Sequence, residues 1–158
     1  MSIKPHYRSK TVAAWLTLAL GALGVHRLYL FGTRDRLFWV FPLPTLLGML
    51  GVLRLRTLGQ DDRLAWLLIP LLGLMLSLAM LTAIVYALTP DETWDARHNP
   101  GQPVHGTGWG PVLAAILALL LGGAVLMGTI AYGGQKFFEW QLDTGAQAGS
   151  GQSSRAMG

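Results

Sequence analysis

The sequence predicts an all-α integral membrane protein, a four-helix transmembrane bundle that begins with a helical hairpin. Three observations carry that expectation. Apolar residues make up 52% of the 158 residues, and the mean hydropathy is +0.43. Charge is scarce, at 13% of residues, against about 25% in an ordinary soluble domain. The apolar residues also gather in four segments near the length a helix needs to cross a hydrocarbon core of about 30 Å, roughly 20 residues. Polar/apolar alternation is missing, which argues against membrane strands. Backbone groups in hydrocarbon must bond within their own segment, which argues for helices.

The first segment starts at Thr11 and runs at least to Val25. The second, 37–53, carries Pro42 and Pro44 near its start, so either a break there or a partial span beginning after Pro44 is expected. The third, 64–88, is long enough to tilt. Pro70 lies in its opening turns, where a kink is expected, and Asp61 or Asp62 is placed to cap it. The fourth, 111–132, opens with Pro111 after Gly110, a favourable helix start. Phe137, Phe138 and Trp140 follow it as an interfacial aromatic belt. From Gly145 onward the chain is mostly Gly, Ser, Ala and Gln, the composition of a disordered tether. The organisation read this way is a basic cytoplasmic tail 1–10, a hairpin 11–56, a second helical pair 57–144 with an outer loop 89–110, and the tail 145–158.

Within the outer loop, Thr89 to Glu92 reads as a capping box with Pro90 at the first helical position. A short helix from Pro90 to about Arg97 should end before Asn99-Pro100. Trp94 and Trp109 are expected at the membrane interface.

Lys and Arg set the orientation. Eight of the 12 lie in the N-terminal tail (Lys4, Arg8, Lys10), the middle loop (Arg54, Arg56, Arg63) and the C-terminal tail (Lys136, Arg155). The outer loop has Arg97 against Asp91, Glu92 and Asp95. Both termini are therefore expected in the cytoplasm, with Arg27, Arg34 and Arg36 as the exception. With no cysteine, a bacterial inner membrane fits. A cleaved signal peptide ending near Ala22 or Gly24 is the competing reading of the N-terminus.

One stretch carries a family resemblance. Ser9 to Arg36 reads SKTVAAWLTLALGALGVHRLYLFGTRDR, with Gly21, Gly24, His26, Arg27, Tyr29, Leu30 and Gly32 in the pattern of a short apolar helix followed by a Gly-x-His-Arg turn. It resembles the two-transmembrane-helix (TM-two) domain family over about residues 8–56. Leu28 stands where that family usually has Phe, and Phe31 precedes Gly32. The resemblance implies a helical hairpin in a membrane and no particular activity.

Three groups of residues are candidate sites. His26, Arg27, Tyr29, Arg34 and Arg36 form an arginine-rich turn that could bind an anionic headgroup or a partner carboxylate. The structural alternative pairs Arg27 with Asp35, or has it cap C-terminal carbonyls and tighten the hairpin. Asp91, Asp95 and His98 share one face of the short loop helix and, with His105, are weak candidates for a divalent metal. The helix dipole alone accounts for the two carboxylates, so no cofactor is assigned. Small residues recur at four-residue spacing: Thr17 and Gly21, with Gly24 following, and Ala114, Ala118 and Gly122, then Ala124 and Gly128. Such stripes let helix backbones approach closely.

The last three apolar segments hold no Asp, Glu, Lys, Arg or His, where proton-coupled transport and voltage sensing usually place one. Phosphate loops and nucleophile elbows are missing. The net charge of +4 follows from positive-inside bias, so nucleic acid is not implied. The expected partners are the lipid bilayer and a second copy or another membrane protein. The expected function is a non-enzymatic accessory or scaffold subunit acting through helix association. A lipid or small-molecule binding or permeation unit at the arginine-rich turn is the alternative, and a membrane enzyme with a metal in the outer loop the second alternative.

Overall fold

A computed structural model describes residues 7–33 and 35–156, with side chains to 145. It is helical, with no strand among the described residues. Helix α1 (Lys10–Leu20) continues into a 3-10 turn (Gly21–Leu23). Gly24 then reverses the chain in the left-handed region, at φ +77°, a conformation that costs a side-chain-bearing residue dearly. Helix α2 (Val25–Phe31) runs back towards the start of α1, because Leu30 packs with Ala13 and Trp94. Helix α3 (Arg36–Val40) and helix α4 (Pro42–Leu58) follow. Pro42 breaks the ladder between them, where the sequence placed a break.

Helix α5 (Arg63–Leu88) is capped by Asp62, whose carboxylate accepts from the Leu64 N–H at 3.2 Å. Helix α6 (Asp91–His98) is a short cap across one end of the helices. Helix α7 (Gly110–Ala156) returns antiparallel to α5. Its Gly110 lies against Thr11, Gly122 against Met80, and Thr129 against Gly73.

Three helical stretches are long and apolar enough to cross a membrane: Arg36–Leu58, Arg63–Leu88 and Gly110–Gly145. The first apolar segment is not a fourth. Lys10–Leu23 is a shorter apolar helix, and 14 residues rise only about 21 Å. The chain doubles back where Gly21 meets Ala79, nine residues from the α5 terminus, or about 14 Å in. The expected four-helix bundle is thus three long helices plus a short re-entrant hairpin.

This reversal also corrects the expected placement of the termini. Lys10 donates to the Thr89 carbonyl at 2.9 Å and the Arg8 N–H donates to Asn99 at 2.8 Å. The N-terminal segment therefore sits at the same end as the loop 89–110. Helix α7 leaves that end, so residues 8–10 and the far part of α7 lie at opposite ends of the bundle. The charge count went astray because it assumed a full crossing before Arg27. Helix α7 also continues to Ala156, through the stretch read as a tether. Its glycines lower helix propensity, but no proline follows Pro111 to block the ladder.

Helix α5 sits at the centre, between α4 and α7 and beneath α1. Each neighbour approaches through a residue with little or no side chain. A Cβ on Gly48 would fall 2.5 Å from the Leu72 Cβ, and one on Gly51 would fall 2.6 Å from the Leu68 Cβ. Ala14, Ala87, Ala114 and Ala115 form a core of small side chains where α1, α5 and α7 meet.

Gly48→Ala should therefore lower the thermal midpoint of the detergent-solubilised chain, by an overpacking cost of about 1–3 kcal/mol. Gly123→Ala, with nothing within 4 Å among the described residues, should leave it level or raise it, since alanine favours helix by up to about 1 kcal/mol. Equal midpoints for both variants would contradict the close α4–α5 approach.

Candidate functional site

The arginine-rich turn does not converge. His26 points into the protein at 1% exposure, edge-on to the Phe41 and Tyr86 rings. Its Nδ1 has no hydrogen-bond partner among the described residues. Arg27 turns the other way, and its Nε donates to Asp35 at 2.6 Å. That guanidinium, 5.3 Å from the Phe31 ring centre and 5.8 Å from that of Phe41, holds the Asp35 carboxyl below its ordinary value. The Tyr29 hydroxyl accepts from the Ser9 N–H at 2.9 Å. Arg36 is exposed at the start of α3, and Arg34 lies outside the described residues. The structural alternative, Arg27 on Asp35, is the geometry observed.

The loop helix tells a different story from the one its acidic face suggested. Asp91 pairs with Lys10, which is 6% exposed. It also accepts from the Thr107 N–H at 2.9 Å and the Thr107 hydroxyl at 2.6 Å. Asp95 is 2% exposed and accepts from the Asn99 amide at 2.7 Å and the His105 N–H at 2.9 Å. Burial pushes the Asp95 carboxyl up, but those bonds and the Tyr7 hydroxyl outweigh it and hold the group below its usual value. His98 stacks on Trp94 with ring centres 4.2 Å apart, and its Nδ1 lies 3.2 Å from the Trp94 carbonyl. Burial pulls the His98 imidazole down. Asp91, Asp95 and His98 therefore each serve a protein partner, and no metal-holding group of His, Asp and Glu occurs among the described residues.

These contacts form a lock between the N-terminal segment and the α6 cap. Trp94, expected at the interface, is instead 1% exposed. Its indole N–H donates to the Arg8 carbonyl at 2.8 Å. Asn99 takes both sides of Arg8, accepting from its N–H and donating to its carbonyl at 3.2 Å. The expected capping box does not form. Pro90 holds the N-cap position without a side-chain bond, and the Thr89 hydroxyl donates back to the Val85 carbonyl at 2.6 Å. Asn99 and Lys10 were not singled out from the sequence. The one available signal was an Asn just after a charged helix, which reads equally as a stop.

No protein-family model, no curated protein and no solved structure matches this chain.

Two stripes on α7 differ in what meets them. Ala114 and Ala118 are fully buried, and a Cβ on Gly122 would come 2.7 Å from the Met80 Cβ. On the hairpin, Thr17 is buried and donates to the Ala13 carbonyl at 2.7 Å. A Cβ on Gly21 would come 2.9 Å from the Ala79 Cβ, and one on Gly24 equally close to the Phe41 Cβ. These residues are used inside the chain. Ala124 and Gly128 face outward on α7, and nothing lies within 4 Å of a Cβ built at Gly128 among the described residues. Gly48, Gly51 and Gly73 carry packing that sequence reading missed. The i, i+3 spacing of Gly48 and Gly51 was the visible signal.

Asp91 makes the lock sensitive to acid. Burial pushes its carboxyl up, but Lys10 and both Thr107 donors prevail and hold it at about 2, against an ordinary 3.8. A group held low in the folded state stabilises it above its unfolded value and loses that effect as pH falls. The thermal midpoint should be flat in this contribution above pH 3.8 and drop between there and pH 2. Asp91→Asn should flatten that drop and cost about 2 kcal/mol at neutral pH by taking the counter-charge from the Lys10 ammonium, which keeps its bond to the Thr89 carbonyl. A drop of the same size in the variant would assign it to other groups.

Proposed function

We propose that this chain is a non-enzymatic membrane subunit that works by helix association, and that its partner is a second copy paired through the Ala124 and Gly128 face of α7. The observation that carries this is the asymmetry of α7. One small-residue stripe is filled by α1 and α5, while on the other Ala124 is exposed and Gly128 meets nothing within 4 Å among the described residues. Small residues four apart let two helices cross with backbones in contact, the arrangement that lipid-embedded helices favour. Such a stripe is self-complementary about a two-fold axis, so the same face on a second copy is the simplest occupant.

The hairpin and the N-terminal lock support the reading indirectly. They fix α7 against α5 and α1 on its other side, so the free face is presented on a rigid helix. The TM-two resemblance fits this setting, since the family pattern covers the segment that forms the hairpin. The lipid-binding alternative at residues 26–36 loses its main cation, because Arg27 is committed to Asp35. The enzyme alternative loses its ligands, because Asp91 and Asp95 are committed to the lock. The three long apolar helices are compatible with residence in a membrane; the membrane setting and a bacterial inner membrane are both part of the proposal.

The natural chain has no cysteine, so single cysteines report cleanly. Gly128→Cys should crosslink to a dimer in membranes under mild oxidation, and Ile130→Cys, exposed on the far side of the same helix from Ala124 and Gly128, should not. Gly128→Leu should reduce dimer at least tenfold in native mass spectra while keeping the fold. Equal crosslinking at both positions, or a wild-type chain that is always monomeric, would overturn the reading.

A further inference from the structure

At the end of the bundle opposite α6, the α4–α5 loop and α7 enclose a cavity of about 230 Å³. Leu55 forms its apolar wall, and Gln60, Tyr132, Gln135 and Lys136 supply polar groups. The last three, with Glu139, share one face of α7, because they are spaced three and four residues apart. The Tyr132 hydroxyl is buried and has no hydrogen-bond partner among the described residues. Buried hydroxyls are nearly always paired, so an orphan here needs an account.

The cation beside it is held in place. The Lys136 ammonium lies 4.7 Å from the Trp66 ring centre and bonds Glu139 at 2.6 Å. Trp66 is fixed in turn by its indole N–H on the Gln60 carbonyl, at 2.7 Å. The Gln135 amide donates to the other Glu139 oxygen at 2.8 Å. One carboxylate thus bridges two donors that border the cavity. Glu139 is the more open member of its ion pair, with 40% of its side chain exposed against 11% for Lys136. It can leave while the donors stay.

We propose that this cavity binds the phosphate of an anionic phospholipid, with Lys136 and Gln135 exchanging the Glu139 carboxylate for phosphate oxygens and the Tyr132 hydroxyl gaining its missing partner. Lys and neutral donors together match a tetrahedral anion. The volume suits a headgroup and not a chain. It is many times a single water's share of about 30 Å³. Phe137, Phe138 and Trp140, all exposed on the next turn, put this end at headgroup depth, where aromatic residues collect. The site lies at the far end from the arginine-rich turn and does not depend on the dimer reading.

The test is the thermal midpoint of the full-length chain in detergent, titrated with phosphatidylglycerol, with diacylglycerol, and with inorganic phosphate. Phosphatidylglycerol should raise the midpoint saturably, and the other two should not. Tyr132→Phe should leave the lipid-free midpoint level or higher and weaken the lipid response about tenfold, the loss of one bond to a charged group. Lys136→Gln should weaken it further, and Glu139→Gln should strengthen it by removing the internal competitor. An unchanged response in Tyr132→Phe would make the hydroxyl a packing defect and overturn the site. An equal shift with diacylglycerol would assign the effect to acyl chains. An equal shift with inorganic phosphate alone would replace the lipid by a soluble phosphate.

Discussion

Helix α5 holds its central place because its neighbours come close enough to touch backbone. In hydrocarbon, apolar side chains gain little by meeting each other instead of lipid, so helices associate through contact area and dispersion. Contact area grows as axes approach, and axes approach only where a side chain is absent. Gly48 and Gly51 bring in α4, Gly21 brings in the hairpin, and Gly122 brings in α7. In one place α5 itself gives way: Thr129 of α7 fills the space at Gly73. The lock at the α6 end and the cavity at the other end both rest on these crossings, which set where the connecting loops can reach.

The three long helices were legible because length and apolarity are read directly from the chain and need no tertiary partner. Pro42, Pro111 and Asp62 were legible for a similar reason, since their effects are local. The hairpin was harder. Residues 11–25 are as apolar as a spanning segment, and only the conformation of Gly24 sends the chain back. That conformation is stabilised by distant residues: the Thr45 hydroxyl donates to the Ala22 carbonyl at 2.5 Å, and Trp94 packs on Leu30. A window of sequence contains neither contact.

The candidate residues divide the same way. The small-residue stripes could be found by spacing, but not which stripe is filled, because that depends on which helix lies beside which. The acidic face of α6 was visible as a pattern, while its partners Lys10, Thr107 and His105 come from separate stretches. Neither the metal reading nor the helix-dipole reading of Asp91 and Asp95 pointed to these partners, because they come from chain that is remote in sequence. Tyr132 gave no signal at all. Its interest lies in a missing bond, which has no sequence correlate.

The lock also has a meaning in time. Arg8 and Asn99 are 91 positions apart, so the N-terminal segment emerges from the ribosome well before its clasp exists. At about 5–20 residues per second, the interval is roughly 5 to 18 s. During it, the apolar helix Lys10–Leu23 is too short to cross a bilayer, and Ala13 and Leu30 lack the Trp94 side chain that later packs on them. A segment made well before its partner is thus secured only when α6 arrives, and whatever receives the nascent chain must shelter it until then.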